Sequence, residues 1–202
     1  ANSRIYVRSL SELEAKPVSG TEGFQSVTEP AFSPDGLSLA FYAVNDQTLK
    51  RIAVTGGSAV TICPAANPFG MTWTPDGIVF GQGRGGIMRV SANGGKPEQL
   101  VSVNEGEIAH GPQILPGNQH VLFTLASGTA SVDRWDKARI VVQSLTTKEQ
   151  KTIIEGGSDG RYLPTGHLIY ALSGSLYAIA FDVKRLAVEG GAAPVLEGVR
   201  RS

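Results

Sequence analysis

The stretch that decides the fold is PAFSPDGLSLAF at residues 30–41, because its central turn comes back three times along the chain. Pro34-Asp35-Gly36 is answered 41 residues later by Pro75-Asp76-Gly77 in GMTWTPDGIVF, residues 70–80. After 41 more, Pro116-Gly117-Asn118 occupies the same place in PQILPGNQHVLF, residues 112–123. After a further 48, Pro164-Thr165-Gly166 does so in GRYLPTGHLIYAL, residues 160–172. Each turn separates two short apolar runs. Proline presets φ for the first central position of a turn and glycine supplies the positive φ that follows, so the pattern joins antiparallel strands. A period of 40 to 50 residues holding four strands is the signature of a β-propeller blade.

The second unit reads most cleanly. Residues 70–74 and 78–82 flank the proline turn, 83–86 is a glycine-rich connection, and 87–92 and 96–101 flank Asn93-Gly94-Gly95, a tight hairpin signal. Pro97 places the last of these strands at an edge. The first unit gives strands at 30–33, 38–44, 49–54 and 58–63, the third at 111–115, 120–127, 139–145 and 150–155. The fourth gives strands at 160–163, 168–172, 175–182 and 193–196. Segments 4–10 and 16–19 read as the last two strands of a further blade. The expectation is one all-β array of about four and a half four-stranded antiparallel blades, a partial propeller: half blade 1–20, then blades 21–63, 64–102, 103–155 and 156–198. An open arc leaves its terminal blades without neighbours, and exposed apolar faces of that size find partners, so self-association through those blades is expected.

Composition excludes several classes. Lys plus Arg and Asp plus Glu are both 18, so the chain lacks the basic footprint of a nucleic-acid or anionic-membrane binder. No apolar run reaches the length that would insert into a membrane. Cys63 is the only cysteine, which rules out an internal disulfide and a cysteine-rich zinc site.

The segments YVRSL, FSPDG, LKRIAVTGG, RVSANGGKP, PQILPGNQHVLF, IVVQSL and LIYALSGSLYAIAFD, in that order, resemble the TolB-type (WD-like) propeller repeat. They resemble in particular the propeller region appended to bacterial serine/threonine protein kinases, over nearly all of residues 4–199. The resemblance implies a six- or seven-bladed parent and a sensor or interaction role in a signalling or envelope protein. It implies no kinase activity, since the glycine-rich loop with its strand lysine, HRD and DFG are all missing from the chain. What carries over is structural: Pro34, Asp35, Gly36, Pro75, Asp76, Gly77, Pro116, Gly117, Pro164 and Gly166 as turn formers.

Two motifs tempt and fail. Gly81, Gly83 and Gly86 fit G-x-G-x-x-G, but a strand and hairpin follow where a phosphate site needs a helix. Gly156, Ser158 and Gly160 fit G-x-S-x-G without the strand-to-helix turn of a nucleophile elbow. The three histidines, His110, His120 and His167, are not spaced as a helical zinc pair. No metal site and no cofactor are expected. Phe32, Trp73, Phe80 and Phe123 fall in the repeated strands and read as core between blades.

Strand alternation sorts the loops onto two faces. The Pro-Asp-Gly and Gly-Gly turns share one. The blade connections (22–29, 64–69, 102–110, 156–159) and the long insertion 128–138 share the other, where segments are longer and more variable. A binding surface is expected there, with Asn67, Phe69, Glu107, His110, Trp135 and Asp159 as candidates. The reading preferred from sequence is a non-catalytic module that binds a protein or peptide. The alternatives are a propeller hydrolase or lyase with its active site in the funnel, where Glu105, Glu107, His110 and Asp159 are the assemblable polar cluster, and a purely structural, oligomerising module.

Overall fold

A computed structural model describes residues 3–127, 131 and 133–199, and every described element is a β-strand. Strands β1 (Tyr6–Val7) and β2 (Lys16–Pro17) form a two-stranded ribbon. Four antiparallel sheets follow in chain order. The first holds β3 (Val27–Phe32), β4 (Ser38–Ala43), β5 (Thr48–Ala53) and β6 (Val60–Pro64); the second β7 (Met71–Thr74), β8 (Gly77–Gly81), β9 (Ile87–Val90) and β10 (Glu98–Val101). The third holds β11 (Glu107–Ile114), β12 (His120–Ser127), β13 (Arg139–Ser144) and β14 (Gln150–Glu155); the fourth β15 (Ser158–Leu163), β16 (His167–Leu172), β17 (Ser175–Asp182) and β18 (Ala187–Glu197). Within every sheet, spatial order follows chain order. The sheets are propeller blades, and the chain is a partial propeller.

The repeated turns behave as their residues require. In the first, Asp35 Oδ1 accepts from the Ser33 hydroxyl at 2.5 Å and from the Leu37 amide at 2.9 Å, while Gly36, at φ 70°, donates to the Ser33 carbonyl. An aspartate that bonds the backbone two residues on closes the turn locally.

The core lies between blades. Ile5 and Val18 from the half blade pack with Leu39, Phe41 and Ile52 of the first blade. Leu49, Ile78 and Phe80 join the first blade to the second, Val79, Val121 and Phe123 the second to the third, and Leu122, Ile140 and Leu168 the third to the fourth. Each such buried side chain contributes about 1.5–3 kcal/mol through lost hydration of apolar surface. Blades pack in chain order, and among the described residues no comparable packing joins the fourth to the first.

Several boundaries differ from the sequence expectation, and one cause accounts for the most important. Inner strands β3, β11 and β15 begin at Val27, Glu107 and Ser158, about two to four residues earlier than the residue pattern suggests. Each is interrupted by a bulge, between Thr28 and Ala31, His110 and Gln113, and Ser158 and Arg161. At the bulge one residue adopts positive φ: Glu29 (56°), Gly111 (58°) and Asp159 (58°). Gly70 (77°) holds the same place just ahead of β7. The left-handed residue looks like a break in sequence, yet pairing resumes on both sides of it. Elsewhere β18 starts at Ala187 rather than 193, β10 starts after Pro97, and β1 and β2 are shorter than expected.

Phe80 and Phe123 are 1% and 0% exposed, and Trp73 is half-buried. Phe32 corrects the expectation, at 53% exposed. Its blade is covered on that side by the half blade alone, which packs on β4 and β5 and leaves the end of β3 to solvent.

Candidate functional site

The inner strands of the four blades bring repeat-equivalent residues into adjacent positions around a channel. Glu29, Gly70, Gly111 and Asp159, the four left-handed residues, form one such row. The Gly111 amide donates to the Phe69 carbonyl at 2.8 Å, and a β-carbon on Gly70 would stand 2.5 Å from Cα of Gly111. Nη1 of Arg161 donates to the Gly111 carbonyl at 2.6 Å, and the Gly70 amide favours the charged form of the Glu29 carboxyl. The second, third and fourth blades are thus hydrogen-bonded to one another along their inner strands. One step further down, Thr72 donates to the Pro112 carbonyl at 2.6 Å, and Gln113 bonds both backbone polar groups of Tyr162.

On the face that carries the blade connections, His110 is the centre of a small assembly. Its Nδ1 lies 3.3 Å from Asp159 Oδ1, and its side chain is 20% exposed. The Phe69 and Trp135 rings flank it, with centroids 6.2 and 5.0 Å away. The Arg134 guanidinium lies over Trp135 at 4.9 Å. Asp159 is itself fixed: its Oδ2 accepts from the Ser158 hydroxyl at 2.7 Å, and its amide donates to the buried Thr124 hydroxyl at 2.9 Å. An imidazole whose Nδ1 lies within ion-pair distance of a fixed carboxylate, without a hydrogen bond from that nitrogen to it, and which is flanked by aromatic rings is an arrangement able to take and return a proton.

Two charged residues that the sequence reading did not single out complete the channel. Burial pushes the Glu29 carboxyl above its ordinary value of 4.5; the Gly70 amide and the Arg161 charge pull it down, and the Asp159 charge pushes it further up. Burial also lowers the Arg161 guanidinium, while Asp159 and Glu29 favour its charged form. Glu29 on the first blade and Arg161 on the fourth therefore sense one another across the channel. The signal for Glu29 was present: it and Asp159 hold the same place in the repeat, and an acid recurring there marks the channel.

Of the six candidates, the structure brings Phe69, His110, Trp135 and Asp159 together. Asn67 stands apart: exposed and left-handed at φ 48°, it donates its amide to the Tyr42 hydroxyl at 3.1 Å as part of a turn. The Glu107 carboxylate is taken up by Arg139 at 2.9 Å and by Asn104. Glu105 is exposed in the turn before β11. Glu107, His110 and Asp159 were expected in loops and lie within strands, for the bulge geometry given above. Of the insertion that holds Trp135, residues 128–130 and 132 lie outside the described residues.

The glycines of the failed nucleotide motif serve packing. Gly83, at φ 54°, bridges Ala109 of the third blade, and β9 follows where a phosphate site would need a helix. Ser158 sits buried at the start of β15, not on an elbow. Among the described residues no group of three or more His, Cys, Asp or Glu side chains is placed to hold a metal ion, and no helix is long and apolar enough to cross a membrane.

On the opposite face, the repeated turns frame an open cleft of about 590 Å³. Pro34, Pro75 and Pro164 border it, with Trp73, Ile114 and Tyr162 on its walls. Sequence reasoning placed the broader surface on the connection face alone; the turn prolines line a second concavity because they end the inner strands.

No protein family's sequence model matches this chain, and no curated protein matches it. Solved structures do. A luciferin-regenerating enzyme superposes with a TM-score of 0.63 at 12% identity over 85% of this chain and 60% of its own. A gluconolactonase of Xanthomonas campestris gives 0.64 at 13% over 83% and 61%. An oligogalacturonate lyase in complex with manganese gives 0.62 at 12% over 96% and 59%. This chain spans about 60% of the length of each. At such identities the likeness shows the fold alone. It also overturns the expectation, drawn from missing motifs, that the chain is not an enzyme: all three of these neighbours are enzymes.

Proposed function

We propose that this chain is the larger part of a propeller hydrolase or lyase that works at its funnel, with His110 as the proton-transfer group and Asp159 as the residue that positions it. The observation that carries the reading is the 3.3 Å approach of His110 Nδ1 to Asp159 Oδ1, made by two blades through a left-handed residue at a bulge. Phe69 and Trp135 wall the ring and exclude water from one side, which strengthens the pairing within the site. The enzymes among the structural neighbours support the reaction class: one is named for a lactone and one for an oligogalacturonate. The TolB-type blade signature belongs to this reading as a likeness of turn motifs, and the parent protein would carry the remaining blades.

The test is turnover of aldonolactones and of unsaturated-product release from oligouronates by the purified chain, followed by His110→Ala and Asp159→Asn. A positioned general base contributes about 10²–10⁴ in rate, so His110→Ala should lose a factor in that range. Asp159→Asn should lose less and shift the pH–rate profile, because it acts through the imidazole. Turnover that survives His110→Ala unchanged removes the assignment.

A second reading, capture of a protein or peptide, is favoured by the cleft at the turn face. Its Trp73 and Tyr162 walls and bordering prolines present apolar surface with few polar groups, as peptide grooves do. Substitution of Trp73 by Ala should then weaken binding of an extended peptide while leaving any His110-dependent turnover in place.

A further inference from the structure

Trp135 links His110 to a charge that proton transfer leaves unused. The His110 ring meets the indole with centroids 5.0 Å apart, and the Arg134 guanidinium carbon lies 4.9 Å from the same indole centroid. Imidazole and guanidinium are therefore no further apart than those two distances laid end to end, within the span of one small ligand. The segment that presents Arg134 is fixed. Its amide donates to the Ser131 carbonyl at 3.2 Å, that of Lys137 to Asp133 at 3.1 Å and that of Ala138 to Trp135 at 3.3 Å. The Asp136 carbonyl accepts from the Gly157 amide at 2.9 Å, which ties the segment to the fourth blade two residues before Asp159.

A guanidinium stays charged throughout the working pH range, and among the described residues nothing answers that charge. No carboxylate lies within ion-pair distance of Arg134, and its side chain makes no hydrogen bond. The nearby acids are committed elsewhere. Asp133 pairs with Lys137, and Asp136 accepts from the Ser173 amide at 3.0 Å. Glu107 pairs with Arg139, and Asp159 with His110. Of the three Arg134 nitrogens only Nε is buried, and it has no partner. The two terminal nitrogens are unbonded and open to solvent. Stacking on the indole sets the plane of the group without spending a donor. A stacked guanidinium with its terminal fork open is preorganised for a planar, two-oxygen acceptor.

We infer that Arg134 is the anion seat of the His110 site. The ligand taken there bears a carboxylate, held end-on by Nη1 and Nη2 of Arg134, and the rest of it lies across Trp135 toward His110. Between neutral and acidic substrates, the acidic class is the one this arrangement holds. The inference rests on the site proposed above and names its substrate class, without depending on the turnover assigned to His110.

The experiment is calorimetric titration of the full chain with a trimeric oligouronate and with its methyl ester, which keeps the rings and removes the charge. The acid should bind at least about tenfold more tightly than the ester, a difference of about 1.4 kcal/mol. The gap should narrow as salt screens the pair. Arg134→Gln should erase the gap. Arg134→Lys should restore only part of it, because an ammonium keeps the charge and loses the planar fork. The melting temperature of Arg134→Gln should stay close to that of the parent, since no hydrogen bond or ion pair of the fold is lost. Equal affinity for acid and ester, a gap that survives Arg134→Gln, or no binding of the acid would each overturn the inference. A gap lost together with a large fall in melting temperature would assign Arg134 to folding and overturn it as well. Turnover of a neutral lactone with no preference for the acid would sink this inference and leave the proposed function standing. Arg134-dependent binding of the acid without any His110-dependent turnover would support this inference and sink the proposed function.

Discussion

Gly70 is the position at which the stitching of the blades can be tested with one methyl group. Its φ is +77°, and a β-carbon there would stand 2.5 Å from Cα and 2.9 Å from N of Gly111. Both atoms are backbone, so no rotamer relieves the collision; the second and third blades must separate locally. A left-handed alanine costs about 1–2 kcal/mol, and forced overpacking costs about 1–3 kcal/mol more. Loss of glycine's freedom in the unfolded chain returns about 0.4–1 kcal/mol. The net for Gly70→Ala is a loss of about 1–4.6 kcal/mol, or roughly 2–18 °C in melting temperature for a chain of this size. Gly36→Ala is the control. Its φ is +70° and nothing lies within 4 Å of the added carbon, so only the strain and its offset remain. Urea unfolding followed by far-ultraviolet circular dichroism reads both. If Gly70→Ala is no more destabilising than Gly36→Ala, the close approach of the blades at the channel is wrong, and with it the row that places Glu29 near Asp159.

Three further outcomes follow from the same geometry. Phe123→Ala empties a fully buried position between the second and third blades and should cost about 3–5 kcal/mol, whereas Leu10→Ala, at a residue 98% exposed, should stay within about 0.5 kcal/mol of the parent by the same denaturation measurement. Glu29 has its folded-state carboxyl raised above 4.5, so the native chain binds more proton than the unfolded one in that window, and stability should fall as pH rises through it; Glu29→Gln should abolish that component of the slope, and an unchanged slope would locate the titration elsewhere. Burial pushes the Cys63 thiol up to about 11, so a thiol reagent at mildly alkaline pH should leave the native chain unmodified and label it once urea exposes the residue.

Most of the architecture was legible because its determinants are local. Pro34-Asp35-Gly36 fixes its turn by φ and by the Asp35 side-chain bonds, its counterparts keep a positive-φ glycine, and the apolar runs beside each turn fix two strands. The exposure of Phe32 was not legible, because it depends on what lies beside the first blade rather than on the segment containing it. The early starts of β3, β11 and β15 were hidden for a related reason. A left-handed residue inside a strand is stabilised by the neighbouring blade, so Glu29 and Asp159 read as loop from their own surroundings. The site divided along the same line. His110 and Trp135 stood out as rare residue types near a connection, while Arg161 resembles any strand arginine until Gly111 and Gly160 are seen to hold it.

The left-handed row explains why function and fold are hard to separate in this chain. At Gly70 the backbone of the next blade excludes a side chain, with Gly111 Cα 2.5 Å from an added β-carbon, and at Gly111 the Arg161 guanidinium lies 3.1 Å from one and would have to shift. At Glu29 and Asp159 the same conformation carries an acid and its cost of about 1–2 kcal/mol. Each acid offsets part of that cost structurally. The Gly70 amide favours the charged form of the Glu29 carboxylate, and the Asp159 amide donates to the Thr124 hydroxyl on the preceding blade. A glycine at 29 would relax the backbone; an acid there places a charge beside the Gly70 amide. Strain retained at the two positions that carry charge, and relieved by glycine at the two that do not, is what a site built into the blade junctions requires.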